Sequence, residues 1–221
     1  MTKIHVYFMP GMAASSSIFE RIQLPTDTFE MHLLEWVLPE KGETLEHYAQ
    51  RMAKKVKHDN PILVGVSFGG ILVQEMKLFL NTRKVIIISS VKSNVELPRK
   101  MKLAKTTKAY KLIPTQLFEN IDHLAKYSFG SSILKQRLKL YEKFLSVRDK
   151  AYLDWAIENI INWKRTEIDK EIIHIHGDAD EVFPIQYIKN AILVKGGTHI
   201  MILTKYRWLN DNLPKIMLEE H

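Results

Sequence analysis

Pro61-Ile62-Leu63-Val64-Gly65-Val66-Ser67-Phe68-Gly69-Gly70-Ile71-Leu72-Val73 joins two apolar runs through the pattern G-x-S-x-G, with one glycine more. Two glycines and a serine at fixed offsets arise by chance in roughly 5–10% of chains of this length, so the surroundings must decide what the pattern means. Ile62–Val66 is short and β-branched, as a strand should be. Ile71–Leu80 is long enough for a helix. A strand that turns sharply into a helix needs close backbone approach on both sides of the turn residue, and the glycines allow it. Such a turn would hold the Ser67 hydroxyl clear of the sheet and aim a helix N-terminus at the reacting group. The plain alternative is a glycine-rich turn that carries an incidental serine.

Further apolar runs lie on either side: Ile4–Met9, Phe29–Trp36, Val85–Ser89, Ile172–Ile175 and Ala191–Val194. Most are short, rich in Val and Ile, and without clean polar alternation, which suits strands covered on both faces in a parallel sheet. Between them, Leu45–Lys57 places Leu45, Tyr48, Met52 and Val56 at helical spacing. Met201–Leu218 also reads as a helical region, with Pro214 expected to break or kink it. Alternating strand and helix signals predict an α/β fold, a mostly parallel sheet of about six strands flanked by helices.

The alternation stops at about Val95 and resumes at about Thr166. Leu134, Leu138, Tyr141 and Leu145 fall at helical intervals, and Leu153, Ile157 and Ile160 continue the habit. Residues 96–165 are therefore expected to form three or four helices inserted within a single domain spanning 1–221. This insert holds the charge asymmetry of the chain. The whole sequence has 32 Lys/Arg and 25 Asp/Glu, net +7, whereas residues 96–165 alone carry 15 and 7, net +8. The remainder is nearly neutral.

Composition closes off several classes. With 46% hydrophobic and 26% charged residues in 221, the chain is neither disordered nor collagen-like. It contains no cysteine, which rules out disulfides, thiolate metal sites and cysteine nucleophiles. No run reaches the ~18 apolar residues of a membrane span. The opening Met1–Pro10 lacks the length and cleavage pattern of a signal peptide, so the expected location is cytoplasmic.

A serine needs a base to act as a nucleophile, and two later segments can supply one in the order Ser…Asp…His. His176-Gly177-Asp178-Ala179-Asp180-Glu181-Val182-Phe183-Pro184 follows the run Ile172–Ile175, and Gly196-Gly197-Thr198-His199 follows Ala191–Val194. Both put an ionisable residue just past the C-terminal end of a strand, where catalytic groups of open parallel sheets gather.

Taken together, these segments resemble the α/β-hydrolase superfamily along the whole chain. Gly65–Gly70 looks like its nucleophile elbow, and His176–Pro184 is similar to its H-G-x-x-D-x-x-V-P segment, in which the acid falls at Asp180. Gly196–His199 resembles the loop that carries its histidine. Phe8-Met9-Pro10-Gly11-Met12 stands where the family has strand-His-Gly-x, with Pro10 in place of the histidine. The resemblance implies a compact member without the two leading strands of larger ones, and the insert at 96–165 lies where the family carries its lid. The resemblance implies a serine hydrolase acting on a carboxylic ester or thioester, with catalytic residues Ser67, Asp180 and His199. The backbone N–H groups of Met12 and Phe68 would form the oxyanion hole. No cofactor and no metal are implied. A non-catalytic scaffold of the same fold, binding a ligand or protein partner, is the alternative.

Several residues admit a second reading. Asp178 competes with Asp180, and the family spacing to Pro184 favours Asp180, leaving Asp178 as a turn-forming acid. His174 and His176 share one strand face, but no third ligand stands at metal-binding spacing. His5, His32, His47, His58, His123 and His221 read as surface or locally satisfied residues. Arg99, Lys100, Lys102, Lys105, Lys108 and Lys111 read first as a solvated helical surface. The sharper reading is a lid that attracts an anionic acyl substrate or touches a membrane surface. No nucleic-acid module accompanies the charge, so no nucleic-acid partner is expected.

Overall fold

A computed structural model describes residues 2–113, 115, 144 and 146–219. Six strands form one parallel sheet in the order β2-β1-β3-β4-β5-β6: β1 Ile4–Met9, β2 Phe29–Leu33, β3 Ile62–Val66, β4 Lys84–Ile88, β5 Ile172–Gly177 and β6 Ile192–Val194. The described α-helices are α1 Leu45–Ala53, α2 Phe68–Met76, α3 Arg99–Thr107, α4 Lys150–Ile161, α5 Met201–Thr204 and α6 Tyr206–Leu218.

The largely apolar character of the central strands has a direct cause. Successive side chains point to opposite faces, and both faces are covered. Val6, Phe8, Ile62, Val64, Ile86, Ile88 and Ile175 pack with Leu209, Leu213 and Met217 of α6. Tyr7, Met9, Leu63, Val85 and Ile87 pack with α1, α2 and α4 on the other face. Each fully buried aliphatic side chain contributes about 2 kcal/mol. The central strand β3 is buried throughout, whereas the edge strands β2 and β6 expose Leu33 and Leu193.

Local signals set the helix ends. Thr44 caps α1 by accepting from the His47 N–H, and Asp149 caps α4 by accepting from the Tyr152 N–H. Lys108 closes α3 in the left-handed region at φ 55°. The expected break at Pro214 does not occur. Pro214 sits inside α6, and the interruption falls earlier, at Lys205. Leu209, Leu213, Ile216 and Met217 are buried around that proline, and four such anchors outweigh the ~3 kcal/mol that an interior proline costs a helix.

The insert leaves the sheet after β4 and returns before β5, which are neighbours in the sheet. Its described parts include α3 and α4. The repeat at Leu134, Leu138, Tyr141 and Leu145 lies outside the described residues, as do His123, His221 and the aromatics Phe118, Tyr127 and Phe129. Arg99, Lys100, Lys102, Lys105, Lys108 and Lys111 are all exposed. No helix among the described residues is long and apolar enough to cross a membrane.

Candidate active site

Ser67 stands between the end of β3 and the first residue of α2, with φ 53° and ψ −120°. A non-glycine residue pays for that conformation, so the surroundings must impose it. The Ser67 N–H donates to the Ile88 carbonyl, its own carbonyl accepts from the Ser90 hydroxyl (2.7 Å), and α2 starts immediately. The flanking glycines make the turn possible. A Cβ on Gly65 would lie 2.3 Å from the Gly69 carbonyl oxygen, and one on Gly69 would lie 2.3 Å from that of Pro10. Helix α2 is thus pressed against its own strand and against the end of β1.

Asp180 and His199 arrive in the same manner from the ends of β5 and β6. Gly177 and Gly197 touch so closely that a Cβ on Gly177 would sit 2.1 Å from the Gly197 carbonyl oxygen, and the Ala179 N–H donates to that oxygen. The loops after β5 and β6 are therefore locked together. His199 Nδ1 lies 2.9 Å from Asp180 Oδ2, and His199 Nε2 lies 3.0 Å from Ser67 Oγ. An ionised carboxylate only accepts, so Nδ1 carries the proton and Nε2 accepts from the serine hydroxyl. Asp180 has a fully buried side chain, and its other oxygen accepts from the N–H groups of Val182 and Phe183. Burial pushes this carboxyl up, but the His199 hydrogen bond and charge, with the Phe183 N–H and His176, outweigh it and hold the group below its ordinary range. Asp178 takes no part: it is exposed and accepts from the Gly196 N–H at 2.6 Å.

Gly11 lies directly over the serine, since a Cβ there would be 3.4 Å from Ser67 Cβ. The N–H groups of Met12 and Phe68 have no acceptor among the described residues, and Phe68 is the first residue of α2, where N–H groups are free by construction. Two aromatic residues hold this loop, and their roles were not legible in the sequence. Trp36 Nε1–H donates to the Gly11 carbonyl (2.8 Å) while its ring stacks on Phe68, centroids 5.0 Å apart and 8° from parallel. Tyr152 Oη accepts from the Ala13 N–H (3.3 Å). Neither residue belongs to a motif, and each reaches the loop from far away in sequence.

Behind Asp180, His174 and His176 are buried. His174 Nε2 lies 3.0 Å from His176 Nδ1, and His176 Nε2 donates to the Phe183 carbonyl at 2.8 Å. The pair therefore fixes its own tautomers and supports the Asp180 loop. Burial holds His174 well below the usual imidazole range. A cavity of about 1410 Å³ opens between Pro39–Glu46 and α4, but Ser67, Asp180 and His199 do not line it.

No protein-family model matches the chain, and no curated protein matches it in sequence. Solved structures do match it in shape. A hydrolase from Pseudomonas aeruginosa PA01 superposes with a TM-score of 0.70 at 14% identity, covering 98% of this chain and 91% of that one. A thermophilic esterase from Thermogutta terrifontis gives 0.65 at 12% identity, with coverage of 98% and 90%. A bromoperoxidase from Bacillus anthracis gives 0.65 at 18% identity, with coverage of 99% and 93%. The parallel six-stranded sheet, the strained serine turn and these superpositions lead to one conclusion: the chain has the α/β-hydrolase fold.

Proposed function

We propose that this protein is a serine hydrolase that cleaves a carboxylic ester or thioester through an acyl-enzyme on Ser67. The observation that carries the reading is the continuous hydrogen-bond path Ser67 Oγ–His199–Asp180, with steps of 3.0 and 2.9 Å. His199 Nε2 takes the serine proton as Oγ attacks the carbonyl carbon, and Asp180 stabilises the imidazolium that forms. The tetrahedral oxyanion is held by the Met12 and Phe68 N–H groups, and each such donor contributes about 3 kcal/mol. His199 then gives its proton to the departing alcohol or thiol. It next deprotonates the water that releases the acid.

The chain at 96–165 serves as a lid over this site. Supporting that role, the Val147 N–H donates to the Ala13 carbonyl, the Phe144 carbonyl accepts from the Ser15 N–H, and Tyr152 reaches Ala13. The insert is thus stitched to the loop that carries Met12. Its exposed lysines favour an anionic acyl substrate, an attraction that salt would screen.

Labelling with a fluorophosphonate, read by intact and peptide mass, tests the reading. The expected result is a single adduct on Ser67 that is absent from Ser67→Ala. Folded wild-type protein that takes no adduct would overturn the reading and leave the non-catalytic scaffold. A panel of acyl esters and acyl thioesters of graded length then identifies the substrate class.

A further inference from the structure

At the end of the sheet away from Ser67, three histidines from separate parts of the chain meet: His5 on β1, His32 on β2 and His58 between α1 and β3. One ring nitrogen from each lies within 4.8 Å of the other two. His5 Nδ1 and His32 Nε2 are 2.9 Å apart, and the His5 and His58 rings stack with centroids 3.4 Å apart and 7° from parallel. The Glu30 carboxylate stands beside them, one oxygen 3.8 Å from His5 Nδ1 and the other 3.9 Å from His32 Nε2. We propose that His5, His32 and His58, with Glu30 completing the set, form a binding site for a divalent transition-metal cation of the Zn²⁺ class.

The strand register builds most of the site. β1 and β2 run parallel with His5 opposite Glu30 and Tyr7 opposite His32. Residues two apart on a strand share a face, so these four side chains gather on the α1 side of the sheet. The chain leaving α1 then lays His58 across them. Distances fit the cation. Zn–N bonds of about 2.0 Å in a tetrahedron set ligand atoms about 3.3 Å apart, a value inside the range the three rings already span. The stacked His5 and His58 rings must turn out of parallel so that both ring planes meet at the ion, exchanging the stack and the 2.9 Å contact for metal bonds. Three imidazoles and a carboxylate are the donors that suit Zn²⁺, and Co²⁺ is a fair substitute for it.

The second layer is also present. Tyr7 Oη lies 2.7 Å from His58 Nδ1 and accepts from the Lys57 N–H at 3.0 Å, which fixes one edge of the His58 ring. The Tyr7 ring stacks on His32 at 4.5 Å. Metal-binding histidines ordinarily have their other nitrogen held in this manner. His5 and His32 keep 24% and 23% of their side-chain surface, and Glu30 keeps 50%, so an ion has a way in. His5 lies four residues before Met9, which pairs with Gly65 at the Ser67 end. Along a strand that is about 13 Å. The ion would tie edge strand β2 and the α1–β3 loop to β1, and would take no part in acyl transfer.

Chelator-stripped full-length protein, titrated with Zn²⁺ by calorimetry and with Co²⁺ by visible absorption, tests the proposal. The expected result is one cation per chain, the strong visible bands of four-coordinate Co²⁺, and a Tm that rises with added Zn²⁺. His58→Gln should weaken binding by about 100-fold or more, and Glu30→Gln or Tyr7→Phe by about 10-fold. The exposed His47→Gln should bind as wild type does. Glu30→Gln is a surface change and keeps the test open if a histidine variant fails to fold. Absence of binding would overturn the proposal, as would binding that survives His58→Gln with Glu30→Gln in protein shown to be folded. Fluorophosphonate labelling of Ser67 should be equal in wild type and His58→Gln, which keeps this result separate from that of the proposed hydrolase activity.

Discussion

The two ends of the sheet each hold a histidine network, and they are built by different means. At the C-terminal end, Ser67, Asp180 and His199 each follow a strand end and sit in a turn that glycine contacts force into shape. At the N-terminal end, His5, His32 and His58 meet because two parallel strands are in register and a loop folds over them. The first arrangement is fixed by backbone geometry, which tolerates few residue types. The second is fixed by pairing, which constrains no neighbouring residue type. The first should therefore fail sharply when altered, and the second should weaken by degrees.

The largest expected effect is at the C-terminal end. His199→Ala should lower kcat by about 10⁴-fold or more on any ester the wild type hydrolyses, while thermal stability changes little. Gly69→Ala comes next. Its Cβ has no room beside the Pro10 carbonyl, so a loss of about 3 kcal/mol or more in denaturant unfolding is expected. Trp36→Phe keeps the ring on Phe68 and removes only the hydrogen bond to Gly11. It should cost about 1 kcal/mol of stability and lower kcat more than it changes KM, since the loop it releases carries Met12.

The remaining expected effects depend on pH. Buried His174 has a folded pKa far below its ordinary value, so the unfolded chain takes up a proton that the native chain refuses. Stability should fall as pH drops below about 6.5, by up to about 1.4 kcal/mol per pH unit. His174→Leu should flatten that limb in urea titrations at pH 7 and pH 5. Asp180 acts in the same direction at lower pH. Its carboxyl is held below the ordinary range, so its contribution is complete above about pH 4 and is lost as pH falls through the folded value. Asp180→Asn should remove that step.

The contrast between the two ends also explains what was legible in the sequence. The parallel sheet was readable because strands buried on both faces, β3 above all, are apolar along most of their length. Ser67, Asp180 and His199 stood beside glycines at the ends of such strands. Asp180 was separated from Asp178 only by family spacing, and the structure distinguishes them by their partners, His199 for one and the Gly196 N–H for the other. Trp36 and Tyr152 were not legible, since each acts through one contact across a long stretch of chain. The three clustered histidines read as unrelated surface residues, because no local pattern encodes register between strands. Pro214 does not break α6, because helix propensity is local, whereas the burial of Leu213, Ile216 and Met217 around it is not.

The base of the insert has a consequence of its own. The Asn94 N–H donates to the Arg165 carbonyl at 2.8 Å, and the Asn94 side-chain amide donates to the Trp163 carbonyl at 2.9 Å. The outgoing and returning chains are therefore clasped at the base of the insert, between strands that are already neighbours. Such a clasp makes the excursion a cassette. Its length and sequence can drift or be exchanged wholesale while β4 and β5 stay paired, so under the proposed function substrate preference would evolve on a different clock from the chemistry beneath it.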